Sequence, residues 1–416
     1  MSLLGMHTLY VIIFLGIGIF TLTTFIYYII NITGSKRFSR EHTRDDLDPS
    51  DVTICIPVYK EDPAIFTECI TAVSSQGSKF VVVGDSSYEP YKTIVESHGG
   101  LFVHKPLREG QKKAIARSMD FVETPYVLIM DSDTILPEGA VSSMVSHFVD
   151  GVGGVGPNIG IKNTGSPVAY GAEFVERTRE IVYRAMSAHG SVMHLDGPCV
   201  MYRTDLIKPF ILSDDFLNFK IFGKTTQLGE DWLMALHALT SGFKLVKDYN
   251  VRVETYPQKT LKKFYKQSLR WSRSEWVRFG MEFKTGNTFR KGKFYTFELV
   301  YTYMLPFIGI AAFLLRTIPI MIVQLHHPNP TLLNLIESVA FFDNAHRGHP
   351  AGVLYDLSLM GINFTGSGIF VLTVAGKITK ERLKTMAYGA LAMGILFVTT
   401  VYGAFTFWKE PKWGTR

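Results

Sequence analysis

The chain has 416 residues, 47% of them hydrophobic and 19% charged, with 43 Lys and Arg against 37 Asp and Glu for a formal net charge of +6. That apolar content excludes a disordered or low-complexity chain and exceeds what one soluble domain needs. Three cysteines, Cys55, Cys69 and Cys199, are too few for a disulfide framework and point to a reducing compartment.

The first element is an apolar stretch, Tyr10 to Ile30, with about the ~20 residues a membrane-spanning helix needs. The preceding MSLLGMHTL has no basic start and no small-residue cleavage site follows, which argues against a signal peptide. Lys36, Arg37, Arg40 and Arg44 come after it, so the positive-inside rule puts the N-terminus outside the plasma membrane and the next domain in the cytoplasm. Residues 1–34 are expected to be this helix.

Residues 35–255 read as one cytoplasmic domain. VTICIPV (Val52 to Val58), FVVVGDS (Phe80 to Ser86), LFVH (Leu101 to His104) and YVLIMDSD (Tyr126 to Asp133) are short apolar runs that read as buried strands. Helical patterns separate them around Pro63 to Gln76, Tyr88 to His98 and Gln111 to Val122. This alternation predicts an α/β fold, a mainly parallel sheet with helices on both faces and ligands beyond the carboxyl ends of the strands. Tyr59 with Glu61, Asp85, and Asp131 with Asp133 stand at three of those ends.

In extended backbone the side chains of Asp131 and Asp133 share a face. Two carboxylates there make an oxygen site for Mg²⁺ or Mn²⁺ that leaves positions for substrate phosphates; a solvated acidic turn is the plainer alternative. In RxGQKK-type context, Lys112 and Lys113 open a helix and could grip phosphate, or be a solvated first turn. GVGGVG, Gly151 to Gly156, fits GxGxxG, but a helix precedes it and Pro157 follows, so the mechanics of a dinucleotide site are missing.

LGEDWLMALHAL, Leu228 to Leu239, sets Glu230 and Asp231 at a helix start, where acids suit the dipole or one of them acts as a general base. Residues 256–293 read as interface helices: Gln258 to Phe283 places Leu261, Phe264, Tyr265, Leu269, Trp276 and Phe283 near one face, with Lys and Arg on the rest. Residues 294–408 contain three apolar stretches, Phe297 to Leu325, Gly352 to Ala375 and Met386 to Trp408. The last has basic residues on both sides, which predicts a re-entrant dip returning to the cytoplasmic side. The basic clusters beside these stretches suit membrane lipids rather than nucleic acid, and residues 409–416, KEPKWGTR, read at first as a headgroup anchor.

Taken in order, PVYKE, GDS, GQKKA, DSD, GPCVMYR, GED, QSLRW and WGTR resemble the motif series of membrane-embedded family-2 glycosyltransferases, most closely the processive branch with the hyaluronan synthases and related capsular polysaccharide synthases. The resemblance runs from Val52 to Ser274 and returns at the terminal WGTR. It implies a nucleotide-sugar-binding domain of the GT-A type between transmembrane helices. By that resemblance Tyr59, Glu61 and Asp85 hold the uridine, Lys112 or Lys113 meets the diphosphate, and Asp131 and Asp133 hold the metal. Asp231 is the base, with Glu230 beside it among the substrate-binding residues. Gln267, Arg270 and Trp271 form the floor, Trp271 under the acceptor sugar and Arg270 near the diphosphate. GPCVMYR around Cys199 lines the acceptor site, and Trp413, Thr415 and Arg416 form a gating segment that reaches the diphosphate.

The implied function is inverting, processive polymerisation from UDP-sugar donors onto a growing polysaccharide or sugar primer, with extrusion through the membrane region. Hyaluronan from UDP-GlcNAc and UDP-GlcA is the first expectation. A glucose and glucuronic acid capsule, a chitin-like polymer, or transfer of one sugar to a lipid are the alternatives. No oligomeric state is implied. GED stands where many hyaluronan synthases have GDD, and LDGP where they have SGP, which marks Glu230 and Asp196.

Overall fold

The computed structural model describes residues 3–39, 42–226, 229–325 and 350–409. The chain divides into two compact units, Met1–Thr33 with Val300–Lys377, and Gly34–Leu299 with Ile378–Arg416.

The described residues of the second unit form ten strands: β1 (Val52–Val58), β2 (Lys79–Asp85), β3 (Leu101–Lys105), β4 (Tyr126–Met130), β5 (Thr134–Ile135), β6 (Val152–Ile161), β7 (Cys199–Arg203), β8 (Lys220–Ile221), β9 (Lys224–Thr225) and β10 (Lys244–Thr255). Eight form one sheet in the order β3-β2-β1-β4-β7-β6-β10-β5, while β8 and β9 form a separate hairpin. From β3 to β4 every pairing is parallel, as the sequence pattern predicts. Beyond β4 the sheet is mixed, because β7 runs antiparallel to both β4 and β6.

Helices cover both faces. Pro63–Ser74 starts where Asp62 accepts the Ala64 N–H at 3.1 Å, with Pro63 in its first turn. It buries Phe66, Cys69, Ile70 and Val73, the i, i+3, i+4, i+7 spacing of one helical face, against Ile54, Ile56 and Val58 of β1. Ala114 of the Gln111–Ser118 helix packs with Val81 and Val83 on the other face. Val152 to Gly156 of GVGGVG form the buried first half of β6, with Gly151 in the turn before it. A Cβ on Gly153 would come within 2.6 Å of Phe243, and one on Gly154 within 2.7 Å of Tyr202, so these glycines let large neighbours close on the strand rather than admit a pyrophosphate.

Among the described residues four helices are long and apolar enough to cross a membrane: Leu15–Arg37, Lys293–Leu314, Ser358–Lys377 and Arg382–Ala404. Within the first unit, Thr24 and Tyr301 share a hydrogen bond of 2.6 Å, Tyr27 stacks on Tyr301, and Asn363 donates to Thr21 at 3.1 Å.

The last apolar stretch departs from expectation. It is one unbroken helix, Arg382–Ala404, rather than a dip, and it belongs to the unit that carries the sheet. A seam of small residues makes the contact: Ala392 lies against Gly171, Gly389 against Phe174, and Gly403 against Ser272. The opposite face exposes Leu383, Leu391, Phe397, Val398 and Tyr402.

The Leu261–Lys284 helix also differs from its apolar stripe. Its buried face includes Phe264, Ser268, Ser272, Ser274 and Val277, and Trp276 donates its indole N–H to the Thr400 carbonyl at 2.9 Å. Small serines sit on this face because the Arg382–Ala404 helix approaches it closely, whereas Leu261, Tyr265 and Trp271 stay exposed. Trp413, Thr415 and Arg416 lie outside the described residues.

Candidate active site

The carboxyl ends of β1, β2 and β4 meet at one edge of the sheet, and each turns abruptly there. Lys60 after β1 and Ser86 after β2 take positive φ of 48° and 61°, uncommon for residues other than glycine and a mark of backbone held by its surroundings. The Ser87 hydroxyl accepts the Lys60 N–H at 3.0 Å and ties the two turns together.

Asp85, at the end of β2, is buried. Its carboxylate accepts the N–H groups of Glu109 and Gly110 at 3.0 and 2.9 Å, and Lys105 lies 3.6 Å away. It therefore fixes the loop that leads into the Gln111–Ser118 helix. From that loop the Arg108 guanidinium stands 4.1 Å over the Tyr59 ring, a cation–π contact that builds a flat wall at the edge. Arg108 carried no role in the sequence reading; a cation two residues before Gly110 is the signal it gives.

Glu61 and β4 are joined by the Ser132 hydroxyl, which donates to Glu61 Oε2 at 3.3 Å. The chain turns at Ser132 and Asp133 instead of staying extended, so alternation along a strand does not set the direction of the two carboxylates. Asp131 is partly exposed and accepts from Gln111 Nε2 at 3.1 Å; Asp133 is buried, with the Thr255 hydroxyl at 3.5 Å. Among the described residues no group of three His, Cys, Asp or Glu could hold a metal. A pair of hard carboxylates at a sheet edge fits a Mg²⁺ or Mn²⁺ whose remaining positions go to phosphate and water.

The two lysines of GQKK part ways because adjacent residues on a helix point about 100° apart. Lys112, expected at the diphosphate, is fully buried. Its ammonium donates to the Thr226 carbonyl at 3.3 Å, lies 5.5 Å from the rings of both Phe216 and Phe219, and is drawn down to a pKa of about 8 by burial. Lys113 is half-exposed and pairs with Glu109 at 3.0 Å. Cys199 is likewise closed inside the core on β7, with burial raising its thiol pKa, so its side chain faces no open acceptor site.

Gly229 opens the Glu230–Thr240 helix with φ of 82°. A Cβ there would come within 1.9 Å of the Trp232 indole nitrogen, which donates to Ser274 at 2.9 Å; glycine is required for the turn and for the indole that pins this helix to the Leu261–Lys284 helix. The turn presents Glu230 and Asp231. Burial is the main cause that raises both, Asp231 to about 6, with Glu230 adding a smaller push on Asp231 and Asp131 a smaller push on Glu230. Glu230 lies within electrostatic reach of Arg270, Lys112 and Asp131, which brings four separate segments to one place. Trp271, beside Arg270, is 43% exposed and offers an open indole face; Gln267 is half-buried one turn earlier.

Sequence reading missed His194. This buried side chain places Nε2 at 3.6 Å from Asp231 Oδ2. Asp196, two residues on, is not at the site: it is buried and paired with Arg179 and Lys247, whose charges hold its carboxyl well below the usual range despite burial. A lone histidine in an apolar context carries no sequence signal of its own.

Residues 53–210 match the model of Glycosyl transferase family 2. An N-acetylglucosaminyltransferase of Rhizobium meliloti is 27% identical over 242 residues, covering 54% of this chain and 55% of the relative. One from Azorhizobium caulinodans is 25% identical over 242 residues, with 54% and 59% covered. Hyaluronan synthase 2 of Xenopus laevis is 28% identical over 326 residues, covering 72% of this chain and 55% of the relative. The chain thus spans little more than half the length of these curated relatives. In fold it is similar to a mannosyltransferase from Pyrobaculum calidifontis solved with GDP-Man and Mn²⁺, at a TM-score of 0.50 and 14% identity, over 94% of this chain and 99% of that one. The mixed sheet and its helices are therefore a GT-A fold, within which residues 53–210 match the Glycosyl transferase family 2 model.

Proposed function

We propose that the chain transfers N-acetylglucosamine from UDP-GlcNAc to a hydroxyl of a growing glycan, with inversion at the anomeric carbon. The observation that carries this reading is Asp231, a carboxyl raised to about 6 at a helix start within reach of Glu230, beside the acidic end of β4. A base poised near neutrality takes a hydroxyl proton while remaining largely ionised at pH 7. The N-acetylglucosaminyl relatives supply the sugar.

The proton passes to Asp231, the acceptor oxygen bonds to the anomeric carbon, and the bond from that carbon to the diphosphate oxygen breaks in line. Asp131 and Asp133 would hold Mg²⁺ or Mn²⁺, which supplies electrostatic stabilisation of the diphosphate leaving group. Arg270 and the partly exposed Lys113 add positive charge. Tyr59, stacked under Arg108, and Glu61 flank the nucleotide, with Asp85 holding the loop that carries Arg108. Trp271 offers a stacking face to the acceptor sugar. Gln267 lines the same floor. The basic residues after Ile30 support a cytoplasmic domain, and the terminal Trp413, Thr415 and Arg416 are assigned to gating.

A second reading, alternating addition of N-acetylglucosamine and glucuronic acid, is favoured by the Xenopus match, which extends past the domain to 72% of the chain. The full chain purified in detergent, supplied with Mg²⁺ or Mn²⁺, should release UDP and form polymer from UDP-GlcNAc alone. Polymer only when UDP-GlcA is also present supports the second reading. No sugar transfer from UDP-GlcNAc under either condition defeats both.

A further inference from the structure

We propose that His194 is a positioning residue for Asp231, its Nε2 orienting the carboxylate that receives the acceptor proton; the inference rests on the reading of Asp231 as the base.

The ring is 4% exposed and its Nε2 stands 3.6 Å from Asp231 Oδ2. The charged groups that bear on it are Asp231, Glu275, Arg278 and Asp196, and among the described residues only Asp231 lies within ion-pair distance. Its other nitrogen, Nδ1, is buried without a hydrogen-bond partner. Burial disfavours the imidazolium while Asp231 favours it, and in either form the nitrogen facing the carboxylate is the one with an acceptor for its hydrogen. A separation of 3.6 Å is longer than a hydrogen bond and typical of a site that tightens when substrate arrives.

The ring has little freedom to move away. On one side the Met193 carbonyl accepts from Arg278 at 3.3 Å, and Arg278 is itself paired with Glu275 at 2.8 Å. On the other, Asp196 is locked between Arg179 and Lys247. The Val192 N–H is tied to Leu245 of β10 at 3.0 Å. The carboxylate is gripped in turn: Asp231 Oδ1 accepts the Trp232 N–H at 2.7 Å, while Oδ2 faces the histidine and the bare Cα of Gly197. An ion-pair network thus fixes the histidine, and the histidine fixes the base. Glu230 and Glu275 push the Asp231 carboxyl toward its protonated form, and His194 opposes them.

The test measures UDP release from UDP-GlcNAc by the full chain in detergent across about pH 5 to 9, with folding followed by thermal melting. His194→Ala should lower kcat about thirtyfold, part of the ~10²–10⁴ a positioned base supplies, leave donor KM within about twofold, and move the acidic limb to higher pH. His194→Gln, whose amide nitrogen can stand where Nε2 stands, should keep kcat within about threefold and leave the limb in place. His194→Ala combined with Asp231→Asn should be no slower than Asp231→Asn alone, since the histidine acts through that carboxylate. Losses that multiply in the double variant, or a glutamine as slow as the alanine, overturn the positioning role while the base assignment stands. Full activity of Asp231→Asn overturns the base assignment itself, and the positioning role with it.

Discussion

The two ends of the site are held by different physics. At the nucleotide end, short-range geometry does the positioning: strands of one parallel sheet stop together, two residues take left-handed backbone, and Asp85 binds the next loop through backbone N–H groups. At the base end, position comes from ion pairs the fold assembles: Asp196, on the loop that carries His194, pairs with Arg179 and Lys247, and Arg278, paired with Glu275, donates to the Met193 carbonyl of the same loop. A strand-end site can be found from local pattern. A site framed by buried ion pairs cannot, because any one such residue looks like an ordinary surface charge until the chain folds around it.

Four substitutions press on that contrast. The largest effect belongs to Asp231→Asn, expected to reduce transfer by about 10²–10⁴ in single-turnover assays while donor binding holds. The same change should stabilise the protein at high pH. The Asp231 carboxyl binds its proton more tightly when folded than an unfolded aspartate does at about 3.9, so its contribution to stability is complete below that pH and lost as pH rises through about 6. Asparagine removes that loss, so Tm should rise by an amount equivalent to roughly 2 kcal/mol at pH 8 and hardly change at pH 4. A Tm that falls at both pH values would contradict the burial that raises this group.

Asp131→Asn acts at the nucleotide end. It should slow UDP release about a hundredfold, with part of the loss recovered as Mn²⁺ is raised. Insensitivity to both the substitution and the cation would remove these strand-end acids from the chemistry.

Lys112→Met separates the two ends most directly. Lys112 sits on the nucleotide side in sequence but in the core in space, so methionine should leave donor KM within about threefold and hold or raise Tm. A donor KM raised tenfold or more would return Lys112 to the diphosphate. The smallest effect is expected from Arg108→Ala, which removes the cation over Tyr59 and should raise donor KM about two- to fivefold, the equivalent of ~0.5–1 kcal/mol, with kcat unchanged.

Much of the fold was legible because its signals are local. β1, β2, β3 and β4 are runs of β-branched and apolar residues with turn residues between, and the parallel half of the sheet follows from the helices that separate them. The mixed half was not legible: GVGGVG gives no alternation from which to read a strand, and β7 is a short run whose direction depends on its neighbours. The Arg382–Ala404 helix teaches the same lesson. Flanking charge argued for a dip, yet Gly389, Ala392 and Gly403 lie along one side of a continuous helix and admit close packing, which only the partner surface of Gly171, Phe174 and Ser272 reveals.

By itself the sequence determined which residue types stand at the strand ends and helix starts, since strand period, turn glycines and the order DSD, GED and QSLRW are properties of neighbouring positions. Only the tertiary structure decided which of those groups are open to a substrate. Lys112 and Lys113 are adjacent and chemically identical, and one is buried beneath Phe216 and Phe219 while the other reaches solvent. Asp231 is raised while Asp196, of the same type, is lowered, because burial outweighs the charges around the first and two paired cations outweigh burial at the second. Desolvation and charge pairing depend on what lies within a few ångströms, and that is set by residues far away along the chain.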